Sequence, residues 1–241
     1  MFMNSCFEVK IFRQYKKSWL YKALFIYIIY GVFIFTVNRG EYAYFELLHY
    51  VISYPFLIAI FLIPSVLCGV LYINYRYYNN YSIILRFGSR RSIIISNIKL
   101  IFYIVSNVFI LMFMASLIFT NVFANRNYYI GIDSKYNVLN VVSLFVSACK
   151  VYIFLFIIGL VSSVLSFVNI YLILVVFLVI MISFMGILPN GVLMFLPGYY
   201  VSNYHIFDSF SHNVIYSLVY LVLSFGVVFL FYIKRFRDDI L

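Results

Sequence analysis

The stretch VISYPFLIAIFLIPSVLCGVLYI at residues Val51–Ile73 decides the fold, because its 23 consecutive residues carry no charge. An α-helix rises about 1.5 Å per residue, and about 20 apolar residues cross the hydrocarbon core of a bilayer. The stretch therefore predicts a membrane-spanning helix.

Five more apolar segments have the same character. They are Ser18–Val37, Leu100–Thr120, Val151–Val168, Ile170–Ile187 and Val214–Ile233. Together with Val51–Ile73 they predict an all-α membrane protein with six transmembrane helices in one transmembrane domain over residues 1–241. Only 10% of the residues are charged, whereas soluble domains carry about 25%. The composition therefore excludes an ordinary soluble domain.

The basic residues predict the orientation in the membrane. Of the 17 Lys and Arg residues, thirteen precede span one or occupy its first turn, lie between spans two and three, or follow span six. The other four lie on the opposite side, namely Arg39, Arg126, Lys135 and Lys150. The positive-inside rule then places both termini in the cytoplasm. This placement beside the spans explains the net charge of +10 without a nucleic-acid partner. The first apolar run is also too long for a cleavable signal peptide.

Residues 1–17 are predicted to hold an amphipathic interfacial helix. At about 100° per residue, one arc contains the apolar residues Phe7, Ile11, Phe12, Tyr15 and Trp19. The opposite arc contains Lys10, Arg13, Lys16 and Lys17. Glu8 and Val9 do not fit the pattern. Such a helix can anchor to anionic lipid or present itself to a cytoplasmic protein, and the two uses are compatible.

The inner connection Asn74–Lys99 contains a short apolar run and then a basic corner. Gly88 can close a short helix at its C′ position, and Ser89 can cap a second helix that begins at Arg90 and runs into span three. A free connection does not need the apolar side chains of residues 83–85 and Phe87. We expect them to contact a membrane surface or a protein groove.

Because of Lys150, span four has two possible interpretations. In the first, Lys150 lies at the outer interface with its side chain extended to water, and Val138–Cys149 is a separate outer interfacial helix. In the second, Lys150 is a functional residue within the pathway.

The outer segment Leu188–Asn213 combines helix breakers with apolar residues. Two short re-entrant pieces before span six would suit it, because irregular backbone at membrane depth is tolerated when protein covers it. The residues expected to form this segment are Pro189, Val192, Phe195, Pro197 and Gly198.

Motifs for catalysis and metal binding are missing from the sequence. There is no Walker A motif, no His-Glu-x-x-His and no Gly-x-Ser-x-Gly. Glu46 with His49, and His205 with Asp208 and His212, have helical spacing but too few ligands for a predicted metal site. Cys6, Cys68 and Cys149 lie at different predicted depths and indicate packing rather than disulfides. We predict neither a catalytic nor a metal site.

The corner Arg86-Phe87-Gly88-Ser89-Arg90-Arg91, followed by Lys99, resembles the arginine–glycine–serine–arginine corner of permease subunits of ATP-binding-cassette (ABC) exporters. In that family the corner carries the first coupling helix. The layout is also similar over the whole chain, from the N-terminal helix through six spans to the outer re-entrant segment. The resemblance implies an ATPase-coupling interface at Ile84, Leu85, Arg86, Phe87, Gly88, Ser89, Arg90 and Arg91.

The same resemblance implies the partners. Separate cytoplasmic ABC ATPase subunits would bind ATP and Mg²⁺, and a second permease chain, identical or different, would complete the pore. We therefore expect a transport subunit without its own ATPase activity, in a bacterial cytoplasmic membrane, that exports an amphipathic or hydrophobic substrate such as an antimicrobial peptide, toxin or drug. The alternative is a non-transporting accessory protein of the membrane that binds anionic lipid or a partner protein.

Overall fold

The computed structural model describes residues 4–38, 44–78, 90–124, 134–166 and 210–238. These residues are helical and contain no strand. Numbered in chain order, the described α-helices are α1 (Asn4–Lys17), α2 (Trp19–Val37), α3 (Tyr44–Ser53), α4 (Ile63–Ile73), α5 (Arg90–Phe123), α6 (Ser134–Ser166) and α7 (Phe210–Asp238). Two π-helical turns, Leu57–Leu62 and Asn74–Tyr78, flank α4.

Within the described ranges, four helical segments are long and apolar enough to cross a membrane. They are Trp19–Val37, Leu57–Arg76, Ser92–Phe123 and Leu144–Leu165, and they correspond to predicted spans one to four. Within α7, a shorter apolar stretch, Leu218–Lys234, lies where span six was predicted. Predicted span five, Ile170–Ile187, lies outside the described residues. The all-helical fold, with four helices that are candidates for crossing a membrane, is thus confirmed among the described residues, and the number six stays a prediction.

Ser18 separates the N-terminal helix from the first span. Its side-chain oxygen accepts a hydrogen bond from the Tyr21 backbone N–H at 3.2 Å, which caps the N-terminus of α2. Trp19 consequently begins α2 and is 77% exposed. The prediction that Trp19 shares the apolar face of α1 is therefore wrong, because the chain changes direction before it.

Contacts between aromatic and polar side chains give the helix directions. Tyr21 on α2 meets Asn107 on α5, and Phe33 lies against Phe119 further along the same two helices. Since both pairs have the same separation along the chain, α2 and α5 run in the same direction.

The segment containing α4 runs against α2. Tyr27 contacts Phe61 near the middle of α2, and Phe35, closer to its C-terminus, contacts the earlier residue Tyr54. The α5 and α6 helices are antiparallel in the same way, because Ser106 meets Tyr152 and the earlier Asn97 meets the later Ser163. Directions therefore alternate from span one to span four, as consecutive membrane crossings require.

The bundle has an interior of packed side chains and an apolar exterior. Val32, Leu62, Val105 and Leu155 are fully buried between the helices. The outward faces of α2, α5 and α7 carry exposed apolar side chains instead, namely Ile26, Phe33, Ile110, Met114, Ile118, Val222, Val227 and Leu230. Lipid tails are as apolar as these side chains, so the exterior suits a bilayer.

Candidate functional site

The basic connection leads directly into the longest described helix. Residues 79–89, including Ile84, Leu85, Arg86, Phe87, Gly88 and Ser89, lie outside the described residues, as do the side chains of Arg90 and Arg91. The backbone of α5 begins at Arg90, the start that the sequence predicted. The helix has 34 residues and is about 51 Å long at 1.5 Å per residue. It therefore extends without interruption from the basic connection through the bundle.

The N-terminal helix docks on the α4 and α5 helices at this end of the bundle. Ile11 and Tyr15 are 2% exposed. The Tyr15 ring lies 5.7 Å from that of Tyr72, and the Phe12 ring lies 5.6 Å from that of Tyr103. Burial raises the pKa of Tyr15, so the hydroxyl under this helix stays neutral. The apolar face of α1 therefore contacts protein, which leaves only its polar face for lipid or a partner.

That polar face carries the predicted basic residues. Its four basic side chains are all exposed, namely Lys10, Arg13, Lys16 and Lys17. Lys16 also lies 5.0 Å above the Phe12 ring, a distance at which a cation and an aromatic face attract each other. The interfacial role predicted for these basic residues stays a prediction.

Glu8 is a buried residue of α1. The sequence pattern left this residue unexplained, because a charge interrupts the apolar arc. In the structure the residue is 1% exposed, and Oε1 lies 4.0 Å from Nζ of Lys99 on α5, whose side chain is 46% exposed. Among the described residues, no hydrogen bond reaches Oε2 of Glu8. The pair links α1 to the residue that precedes span three.

A buried polar cluster joins three helical segments at the same end. Ser163 Oγ on α6 accepts hydrogen bonds from Asn97 Nδ2 at 2.8 Å and from Asn74 Nδ2 at 3.2 Å. All three residues are at most 2% exposed. Sequence analysis missed this cluster, although a useful signal existed. Asn74 and Asn97 border the same inner connection, and both are uncharged amides beside apolar spans.

Lys150 lies inside the bundle rather than at its surface. The α6 helix is continuous from Ser134 to Ser166, and the apolar span within it starts at Leu144. Lys150 is 3% exposed. The predicted separate interfacial helix Val138–Cys149 and the water-facing Lys150 are therefore wrong. The surrounding protein encloses the lysine instead.

A second polar contact lies one turn before Lys150. His49 Nε2 on α3 and Ser147 Oγ on α6 are 2.9 Å apart, and Ser147 is 3% exposed. The sequence had paired His49 with Glu46, whose side chain lies outside the described residues. His49 thus belongs to a helix–helix contact that its own local sequence did not indicate.

The remaining predicted site residues fall outside the described part of the chain. They are Pro189, Val192, Phe195, Pro197, Gly198, His205 and Asp208, together with the side chain of His212. Within the described part, no three metal-binding side chains come together. Cys68 and Cys149 are free and half-buried there, and the Cys6 side chain lies outside it.

An apolar cleft of about 250 Å³ opens between α5, α6 and α7. Its lining is aromatic and aliphatic, formed by Phe102, Tyr152, Ile153, Phe156, Val222 and Phe225. Comparisons of this chain with protein-family models, with curated proteins and with solved structures find no match.

Proposed function

We propose that this chain is the membrane-spanning subunit of an ABC exporter in a bacterial cytoplasmic membrane, with six spans and both termini in the cytoplasm. It would pair with a second permease chain and with separate ATPase subunits that hold ATP and Mg²⁺. The substrate would be amphipathic or hydrophobic, in keeping with the aromatic lining of the cleft between α5, α6 and α7. The chain itself would hydrolyse nothing.

The uninterrupted α5 helix is the observation that carries the proposal. A partner that binds residues 84–91 acts on the first turn of α5 at Arg90. Because α5 continues to Phe123, a displacement at its start is transmitted along the whole helix. The half-exposed contact Glu8–Lys99 and the buried contact Asn97–Ser163 tie the same end to α1 and α6, so these helices would move with it.

The charges suit the proposed coupling. Arg86, Arg90 and Arg91 offer cations to an acidic cleft on the ATPase, while Ile84, Leu85 and Phe87 offer apolar contacts. Removing one partner of a buried interfacial charge pair costs about 2–5 kcal/mol, whereas a cation near anionic lipid contributes about 1 kcal/mol. The size of the loss on mutation therefore separates a protein interface from a lipid contact.

The test is purification of the chain from membranes of its native host, followed by mass spectrometry and an ATP hydrolysis assay. We expect an ABC ATPase to co-purify with the wild type and to be lost from a variant with Phe87→Ala and Arg90→Ala. The matched control carries Arg126→Ala and Phe145→Ala, the same residue types at the other end of the spans, and should keep the ATPase. An ATPase that stays bound and active with the first variant would contradict the proposal.

The accessory-protein alternative is favoured by one observation, the exposed basic face of α1. Four cations on a docked helix can bind an anionic membrane surface without any transport. If no ATPase co-purifies with the wild type, and the chain still requires anionic lipid for its stability, this alternative replaces the exporter.

A further inference from the structure

We propose that the apolar cleft between α5, α6 and α7 binds the end of one acyl chain of a membrane lipid. A lipid is amphipathic, as the substrate of the proposed exporter would be, but occupancy of the cleft requires neither transport nor an ATPase. Lipid binding at this cleft is therefore independent of the proposed function.

The walls of the cleft hold one another in place. The Phe102 ring of α5 meets the rings of Tyr152 and Phe156 on α6 edge-on, each at 6.4 Å between centroids. The Phe156 ring in turn lies 5.7 Å from that of Phe225 on α7. These ring contacts join all three helices, so the cleft is largely formed before a ligand arrives, as ligand sites usually are.

The side chains that line the cleft are apolar toward a ligand. Among the six of them, Tyr152 alone carries a polar group, and its hydroxyl lies 2.8 Å from Oγ of Ser106 on α5. Water occupies a cavity only where it finds polar partners, and an empty cavity loses dispersion contacts with its walls. A hydrocarbon group is therefore the occupant that suits this cleft.

The volume of the cleft fits part of a molecule. Pockets for drug-sized ligands measure about 300–1,000 Å³, whereas a dry apolar cavity of about 150 Å³ holds one benzene ring. The cleft, at about 250 Å³, lies between these sizes. It can hold a segment of a hydrocarbon chain but not a whole drug or peptide.

The depth of the cleft indicates which part of a lipid reaches it. The apolar segment Leu144–Leu165 of α6 has 22 residues and is about 33 Å long at 1.5 Å per residue, close to the hydrocarbon core of about 30 Å. Phe156 lies 12 residues after Leu144 and nine before Leu165, near the middle of that length. Lipid chains have their ends at this depth, whereas the headgroups lie about 15 Å away, outside the hydrocarbon core.

The cleft opens on the side from which a lipid chain would come. Two of its lining residues, Phe102 and Val222, are 49% and 56% exposed. Leu223, the next residue on α7, is 64% exposed, and all three belong to the apolar exterior that suits a bilayer. A chain end can therefore enter sideways while its polar headgroup stays at the membrane boundary.

Retention of lipid during purification is the first test. The chain is purified from membranes of its native host and washed in detergent until the ratio of lipid to protein no longer falls, and native mass spectrometry counts the bound lipids. We expect one lipid on each wild-type chain. Val222→Trp, which fills the cleft from its exposed edge, should lose that lipid. Val227→Trp, at a residue 68% exposed on the same helix, is the matched control and should keep it.

A second measurement uses the wild type alone, in nanodiscs, and tests the depth. Two phosphatidylcholine probes of equal chain length carry a diazirine, either at the end of one acyl chain or beside the glycerol. On irradiation the diazirine loses N₂, and the carbene that remains inserts into a nearby C–H bond of the protein. Peptide mass spectrometry should find the chain-end adduct at Phe156 or Phe225, and the glycerol-side adduct elsewhere. Phosphatidylglycerol with the chain-end diazirine should label these residues equally, because its headgroup lies outside the cleft.

Several results would overturn the proposal. They are equal lipid retention by the wild type and Val222→Trp, cleft labelling that requires the anionic headgroup, and equal cleft labelling by the glycerol-side probe. A retained compound other than a lipid, lost from Val222→Trp, would assign the cleft to a different ligand and would also overturn it. A chain that retains its lipid without a co-purified ATPase would keep this site and remove the exporter proposal, and an ATPase on a lipid-free chain would do the reverse.

Discussion

Tyr27 on α2 donates a hydrogen bond of 3.0 Å to the backbone carbonyl of Ile60. In an α-helix that carbonyl would accept from the N–H of residue 64, four residues later. Residue 64 is proline and has no N–H. A side chain of the first span thus provides the donor that the second span lacks, and it does so beside the π-helical turn Leu57–Leu62.

We expect Tyr27→Phe to lower the free energy of unfolding by about 0.6 kcal/mol, the average for side-chain hydrogen bonds between membrane helices, and by no more than about 1.7 kcal/mol, the largest such value. In a Pro64→Ala background the loss should be smaller, because residue 64 then carries an N–H of its own. Thermal unfolding in detergent of the wild type, the two single variants and the double variant gives the coupling energy between Tyr27 and Pro64. Tyr30→Phe, at a residue 58% exposed on the same helix, is the control. Equal losses in both backgrounds would contradict the interpretation.

Gly31 permits a close approach of α2 to the second span. A Cβ built there would lie 2.5 Å from the Phe61 ring, which is 8% exposed. Gly31→Ala should therefore cost about 1–3 kcal/mol of stability through overpacking. Gly226→Ala on α7 is the matched control, because its Cβ would meet no atom within 4 Å. An unchanged melting temperature for Gly31→Ala would show that α2 can move away from Phe61 at little cost.

Ser163→Ala removes the acceptor that Asn74 and Asn97 share. We expect a loss of about 1–2 kcal/mol, because buried amide donors lose a partner. Ser162→Ala provides a neighbouring control, since its hydroxyl donates to the Ile158 carbonyl of its own helix and bonds no second helix among the described residues. Denaturation in detergent compares the two. A larger loss of stability for Ser162→Ala than for Ser163→Ala would contradict the stabilising role given to the Ser163 contacts.

Lys99→Met should loosen α1, because it leaves the buried Glu8 carboxylate without its cation. Since Lys99 is 46% exposed, water screens the pair, and we expect about 1 kcal/mol, or roughly fivefold faster amide exchange in α1. Adding Glu8→Gln to Lys99→Met should slow the exchange again, because no uncompensated charge remains. Hydrogen exchange with mass spectrometry measures α1 directly. Identical exchange in the single and double variants would show that the pair does not hold the helix.

The orientation can be tested with single cysteines in a chain whose natural cysteines are replaced. Ser92→Cys, near the start of α5, should react only from the cytoplasm, and Ser134→Cys, at the start of α6, only from outside. The expectation follows from thirteen basic residues on one side of the spans and four on the other. Labelling with an impermeant maleimide on intact cells and on inverted vesicles decides the orientation. Reversed labelling would place the basic connection outside and remove the coupling proposal.

Much of the first four spans could be predicted from composition alone. A bilayer demands a continuous apolar helix with its backbone hydrogen bonds satisfied, so the spans and the start of α5 at Arg90 follow from local sequence. The basic arc of α1 was predicted for the same reason. Its amphipathic pattern repeats along one helix and needs no other part of the chain.

The positions of Glu8 and Lys150 could not be predicted in this way. The pattern of α1 marks Glu8 only as an interruption, because its partner Lys99 comes more than 90 residues later in the sequence. For Lys150, local cost favoured the water interface, whereas the continuous α6 encloses it in protein. A charge can be buried only where another helix covers it, and that is a property of packing.

The sequence by itself determined which segments enter the membrane and which carry the basic charge. Only the tertiary structure decided which faces meet, such as Tyr27 with Ile60, Asn97 with Ser163, and His49 with Ser147. The reason is physical. In a membrane helix, apolar side chains suit both lipid and protein, so hydrophobicity does not distinguish the buried face from the exposed one. Close packing and the pairing of a few polar groups distinguish them, and both depend on residues far apart in the chain.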